Sequence, residues 1–369
     1  MDGAARRKQF LDTTWRAHIV KDVFSRPLPL KLEWHGGTPP YAVRVELDGR
    51  CVFFTNKVNE TSVDVWNLEV GRAYAWSVDA LDGSAGGTFR TRDQAPRLIH
   101  APNVANIRDI GGWHGIDGRR IRQGMAYRSG RLNDNAHVYH NIRETLAFYD
   151  EGVLEARFGE TGRNLKEQID REKAQGKFNP KSSYLRKTLL KRRCAGQSRL
   201  VEDGLRIVQD DFGWRSDIDL RSDVECWGMS GSPAGRGVKW FHIPFQCYAG
   251  MGSEEGRAAF TRAFRVLLDI RNYPLDFHCI GGADRTGSLA FVVEALLGVS
   301  DDDLARDWEF TCFVYEDQAF GHKSRYDRLR AVIDACPGAT TRERAEAYVR
   351  SCGFTDADIA TLRTILLEN

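Results

Sequence analysis

Between residues 28 and 92, apolar and polar positions alternate in short runs. LPLKLEWH, YAVRVEL, CVFFTN, TSVDVW, RAYAWSVDA and GGTFRT each read as a strand with one apolar face, because successive strand side chains point to opposite sides. Gly36-Gly37, Asp48-Gly49 and Asp82-Gly83 supply the turns between them. That many strands in about 65 residues predict a small all-β sandwich.

After the stretch TRDQAPRLIHAP (91–102), which reads as a linker, the pattern changes. GMAYRS, WRSDIDLR and PLDFHC are short strand candidates. They alternate with segments of helical period: Phe260, Ala263, Phe264, Leu267 and Leu268 mark one helix. SLAFVVEALLG is an apolar helix closed by Gly298, and Ser300 with Asp303 resembles a capping box for the next. Two or three more helices follow, punctuated by Gly338, Gly353 and Thr355. Such alternation predicts an α/β domain, a central sheet flanked by helices. Residues 133–198 break it: NLKEQIDREKAQGK and YLRKTLLKRR are charged and poor in β-branched residues. They predict a helical insertion, either a solvated face or a lid bringing Arg and Lys to an anionic substrate. The expected division is an N-terminal segment (1–25), a sandwich (26–94) and an α/β domain (95–369).

Composition narrows the function. A formal net charge of +2 over 369 residues gives no support to nucleic-acid binding. No apolar run is long enough for a membrane span. The start MDGAARRK has no apolar core behind its basic residues, so no signal peptide is expected. The eight cysteines (51, 194, 226, 247, 279, 312, 336 and 352) are scattered without metal-ligand spacing. Free thiols, favouring a cytoplasmic setting, and no metal or cofactor are therefore expected.

The stretch HCIGGADRTGS (278–288) carries the candidate chemistry. An apolar strand ends at His278 and an apolar helix starts near Arg285. The glycine-bearing loop between them can turn successive N–H groups inward as an anion nest, reinforced by the helix N-terminus. The phosphate-binding residues would be Ile280, Gly281, Gly282, Ala283, Asp284, Arg285 and Thr286. The same field favours a thiolate at Cys279, lowering its pKa from about 8.5 toward roughly 3.5–7.5. Arg285 would grip two phosphate oxygens with its fork, and Thr286 would donate to the sulfur. Two-step phosphoryl transfer follows: Cys279 attacks phosphorus, and a carboxylic acid serves the leaving group and then the water.

Cys-x5-Arg alone is weak evidence, but seven fixed residues in His-Cys-x-x-Gly-x-Asp-Arg-Thr-Gly arise by chance on the order of once in a billion starts. The string resembles the signature loop of the cysteine-dependent protein tyrosine phosphatases, in the atypical bacterial and fungal branch of tyrosine or dual-specificity enzymes. NIRDIGG (106–112), DGRRIRQGMAYRSGRL (117–132), DLRSDVE (219–225) and DDLARDWEFT (302–311) match that branch in order. LEVGRAYAWSVDALDG, with Leu68, Gly71, Tyr74, Trp76, Val78 and Ala80, resembles strand F of a fibronectin type III domain, with Tyr74 as corner tyrosine.

The phosphatase resemblance implies a catalytic role for Asp284. Asp219, at the end of a neighbouring strand, is the alternate acid, or else accepts amide bonds that shape the loop. Arg108, Asp109, Arg128 and Arg221 read as scaffold ion pairs, and His278 as a brace for the loop. Phe245 and Tyr248 are either pocket wall or core. Members of the branch often carry Lys at the place of Ala283, and its absence favours phosphotyrosine in a phosphorylated protein, or another aryl phosphomonoester. The alternatives are a phosphoinositide or inositol phosphate substrate, and a non-catalytic phospho-binding module. The sandwich is the candidate surface for a protein or glycan partner.

Overall fold

The computed structural model describes residues 27–133, 146–178, 200–223, 225–226, 229–311 and 322–369. The N-terminal segment, much of the charged insertion and Cys194 and Cys312 lie outside the described residues.

All six alternating runs form strands: β1 (Leu30–Glu33), β2 (Tyr41–Leu47), β3 (Arg50–Val58), β4 (Ser62–Val65), β5 (Ala73–Ala80) and β6 (Gly83–Arg90). β1 and β4 pair in one antiparallel sheet, and β3-β2-β5-β6 form another. Leu32 and Val65 of the first sheet pack with Val45, Leu47 and Tyr74 of the second. The Asp48-Gly49 turn has positive φ at both residues, the twist a tight hairpin needs. Ahead of β5 the Tyr74 hydroxyl accepts the Glu69 N–H at 2.7 Å.

The second half is an α/β unit. Its mixed six-stranded sheet adds β7 (Arg97–Leu98), β8 (Arg108–Asp109), β9 (Ala126–Ser129), β10 (Ser216–Asp219), β11 (Lys239–His242) and β12 (Leu275–His278), in the order β11-β10-β12-β9-β8-β7. β11, β10, β12 and β9 run parallel, and β8 and β7 are antiparallel. The described helices are α1 (Leu154–Ala174), α2 (Glu202–Arg206), α3 (Glu254–Leu267), α4 (Arg285–Leu296), α5 (Asp301–Phe310), α6 (His322–Asp334), α7 (Thr341–Ser351) and α8 (Asp356–Leu366). α4 is buried almost all round, as a helix without a polar face must be. Its Leu289, Phe291, Val292 and Leu296 join the main core with residues of α3, α5, α7 and α8. Ser300 does cap α5, accepting the Asp303 N–H, and Thr340 and Thr355 start α7 and α8 with full capping boxes.

The connecting stretch 91–102 carries structure of its own: β7 lies inside it, and Arg97, Ile99 and Ala101 are buried. The β-rich region is fastened here. Asn67 bonds both the amide and the carbonyl of His100, Gln123 does the same for Val70, and Arg120 pairs with Asp93 at 2.7 Å.

Candidate active site

Cys279 follows the last residue of β12, a central strand flanked by β10 and β9. Ligands of parallel sheets collect at these carboxyl ends. Residues 279–284 form the loop and Arg285 opens α4.

The loop is shaped from outside by its carbonyls. Asn106 Nδ2 donates to Gly281 O and Gly282 O, each at 3.0 Å. Arg128 Nη2 donates to Gly282 O at 2.9 Å, and Arg131 N to Ile280 O at 3.0 Å. Among the described residues, the Ile280, Gly282 and Ala283 amides meet no protein acceptor. A backbone whose carbonyls are tied outward while its amides have no partner is a nest for an anion. Gly282 is required twice over: its φ is +63°, and a Cβ there would lie 2.4 Å from Ser129 O.

The residues that hold the carbonyls are themselves held. Arg108 donates to Asn106 Oδ1 at 2.6 Å and to Asp307 at 2.7 Å, and Arg128 also pairs with Asp307. Asp109 pairs with Arg97 and accepts the amides of Gly111 and Gly124. Arg108, Asp109 and Arg128, together with Arg221 on Asp219, thus form buried ion pairs.

The thiol environment is specific to Cys279. Burial alone would raise its pKa, but the Arg285 guanidinium and the hydroxyl and amide of Thr286 outweigh it and hold the thiol below its ordinary value. The buried Thr286 hydroxyl has no other partner among the described residues and faces the Cys279 sulfur. Cys226 and Cys247 are shifted the other way: burial pushes Cys226 up strongly and Cys247 to about 11. All cysteines among the described residues are free.

Arg285 is aimed by Glu225, which takes Nη1 at 2.6 Å and Nη2 at 3.1 Å. Although burial disfavours its charge, Glu225 stays below the usual carboxylate range because Arg285 and Ser222 face it. The Arg285 side chain is 20% exposed, leaving an edge for a ligand.

The two candidate acids sit in different surroundings. Asp284 is partly exposed, and its Oδ1 receives the Tyr248 hydroxyl and Arg325 Nη1, the latter at 3.2 Å. Asp219 is fully buried. Its oxygens take the side chain and amide of Arg221, the Cys226 thiol and Trp240 Nε1. His278 donates toward Cys279 O from Nδ1 at 3.2 Å and sets Nε2 3.1 Å from Asp217. It braces the nucleophile's backbone from below. Phe245 lies in the main core, and Tyr248 is buried beside Trp308.

Three residues have roles that sequence reasoning missed. Glu225 sits in Ser222-x-x-Glu225, a capping-box pattern, and its carboxylate does accept the Ser222 N–H. That local role hides its bond to Arg285. Asp307 falls at i+3 from Leu304, on the buried stripe of α5, where a charge is a legible anomaly. Asn106 lies in the NIRDIGG motif, but nothing in the sequence shows that it grips the loop.

The profile described as the tyrosine phosphatase family matches residues 99–145 and 176–368, well over half of the chain. The skipped stretch, 146–175, holds all of α1 and lies inside the charged insertion. No curated protein matches the chain. With the matched span carrying the thiol, the nested amides and the aimed arginine, the chain belongs to the cysteine-dependent tyrosine phosphatase family and is a phosphatase.

Proposed function

We propose that this phosphatase acts on phosphotyrosine in protein substrates, with dual specificity within reach, by way of a phosphocysteine at Cys279. One observation carries the reading: a thiol of lowered pKa lies in a loop whose carbonyls are tied outward, beside an arginine oriented by Glu225. The loop amides and Arg285 bind the three equatorial oxygens. Cys279 Sγ attacks phosphorus in line. The P–S bond forms, the P–O bond to the leaving group breaks, and Asp284 gives the departing oxygen its proton. Water then attacks phosphorus and Asp284 takes its proton. The P–S bond breaks, phosphate leaves and the thiolate returns. Asp219, enclosed by Arg221, Cys226 and Trp240, shapes the strand end in this scheme.

Cys279→Ser tests it. The variant should fold, bind phosphate and lose aryl phosphatase activity by roughly 10⁴-fold or more. Acid-quenched turnover of the parent should leave phosphate on the Cys279 peptide. A Cys279→Ser protein that hydrolyses para-nitrophenyl phosphate at the parental rate overturns the mechanism.

A second reading, an inositol phosphate or phosphoinositide substrate, has its own support. Ala283 is small and buried, but exposed Arg328 lies 5.2 Å from the Tyr248 ring centroid, and it has no carboxylate partner among the described residues. Comparing a phosphotyrosine peptide with inositol phosphates decides between the two. The scheme also treats residues 26–94 as a fibronectin type III-like sandwich and 95–369 as the phosphatase domain. The bond from Glu69 to Tyr74, five residues on, supports that reading of the first domain. A cleft of about 520 Å³ at the seam, lined by Arg50, Trp66, His100, Asp203 and Phe212, is the place on the sandwich for a protein or glycan partner.

A further inference from the structure

We infer that Tyr248 is a positioning residue for Asp284, fixing the carboxyl that serves the leaving group; the inference rests on the assignment of Asp284 as the acid. Asp284 occupies the N-cap position of α4, where an aspartate ordinarily accepts an amide from the first turn. Its side chain makes no such bond. It turns instead to the Tyr248 hydroxyl and to Arg325 of α6, which meet the same oxygen. Two donors on one oxygen fix the plane of the carboxyl and favour its ionised form.

Tyr248 itself is held in an uncommon state. Its φ is +55°, left-handed backbone that a bulky residue adopts only when its surroundings impose it. The ring is buried, with Trp308 on one side at 6.2 Å between centroids and Arg328 of α6 at 5.2 Å. Burial and the facing carboxylate push its phenol far above the ordinary tyrosine value, so it stays a donor at any working pH. Among the described residues, the groups that face Asp284 include Tyr248 and Cys247 from the turn, Arg325 from α6, and Cys279 from its own loop.

The chemistry follows. Asp284 must carry a proton in the first step, so activity falls as pH rises through its pKa. Removing the Tyr248 hydroxyl destabilises the carboxylate, raises that pKa and frees the carboxyl to turn. In the full chain, Tyr248→Phe should move the basic limb of kcat/KM upward by about one pH unit, the scale of one hydrogen bond to a charged group. It should lower turnover of phenyl phosphate about tenfold, while an activated aryl phosphate such as difluoromethylumbelliferyl phosphate, which needs little protonation, changes less than about twofold. Placing 3-fluorotyrosine at 248 keeps the ring and sharpens the donor, so the limb should move the other way, which keeps the test open if the phenylalanine variant folds poorly.

Equal losses on both substrates with an unmoved limb would make Tyr248 structural and overturn the inference. Asp284→Asn separates the two failures. If it shows no dependence on the leaving group, the assignment of Asp284 falls and this inference with it. If it shows a steep dependence and neither Tyr248 variant moves the limb, the inference alone falls.

Discussion

The β-rich region and the bed of the phosphate loop treat charge in opposite ways. In residues 30–90 the buried side chains are apolar or aromatic, and pairs such as Arg44–Glu46 lie at the surface. Around the loop Arg108, Arg128 and Arg221 are almost fully buried, with Asp307 and Asp219 beside them. An apolar face specifies a sheet by area removed from water, without fixing any one atom. A nest for a tetrahedral anion needs each carbonyl turned to a stated direction, and only directional, charge-assisted bonds do that. Burying those ions has a cost in stability, so the region that holds the chemistry should be the one most easily broken by a single atom.

Asp307→Asn breaks the comparison most directly. The substitution keeps the shape but removes the charge that Arg108 and Arg128 share. Breaking a buried pair costs about 3–5 kcal/mol, and the melting temperature should fall on the order of 10 °C. Glu46→Gln on the β-rich side, facing Arg44 at 3.8 Å in the open, should stay within about 0.5 kcal/mol. Equal shifts in thermal melts would show that buried and exposed pairs matter alike here. Glu225→Gln acts on geometry more than on folding. Arg285 keeps a polar neighbour but loses its ionic fork, and kcat/KM for an aryl phosphate should drop about 10²-fold. A variant as active as the parent would mean that Arg285 is aimed by something other than Glu225.

The same contrast explains what could be read in advance. All six strands between residues 30 and 90 were legible, because alternation is a local signal and each turn carries its own Gly or Asp. β10, β12 and α4 were legible for the same reason, and with them the place of Cys279. Other partners were not legible, because their reasons lie far along the chain. Asn106 meets Gly281 across 175 positions, Arg108 meets Asp307 across 199, and Arg285 meets Glu225 across 60. No period links such residues. What the sequence does show is the anomaly: Asp217, Asp219, Asp276 and His278 interrupt strands that should read as unbroken apolar runs.

That anomaly gives a pH signature. Asp217 lies opposite Asp276 in the β10–β12 register, and Asp219 lies opposite His278. Burial, reinforced by Asp217, pushes Asp276 up to about 8. Burial works against the charge on His278, but Asp219 and Asp217 outweigh it and raise the imidazole to about 9. Both groups hold their protons more tightly folded than unfolded. Their stabilisation is complete below the unfolded values, about 3.9 for the acid and 6.5 for the imidazole, and is lost as pH rises through 8 and 9. Denaturant melts should lose on the order of 2 kcal/mol between pH 7.5 and 9. Asp276→Asn has no proton to release and should flatten the part below pH 8. Stability that rises across this window would place the protons elsewhere.

Tyr74→Phe is the smallest change and the sharpest check on how separate the two regions are. The Tyr74 hydroxyl takes the Glu69 amide, while the ring stacks on Phe89 at 5.2 Å. Removing the oxygen leaves the stack intact and should cost about 1 kcal/mol of unfolding free energy. The contacts nearest to it that reach the phosphatase half are at the seam, where Arg72 pairs with Glu368 and Asn67 bonds His100. None of these touches the loop, whose supports come from Asn106, Arg128, Arg131 and Glu225. Turnover of an aryl phosphate below the melting range should therefore stay within about twofold of the parent. If kcat falls in step with the melt, strain at the Tyr74 corner passes through the seam into the nest, and the β-rich region is part of the catalytic frame.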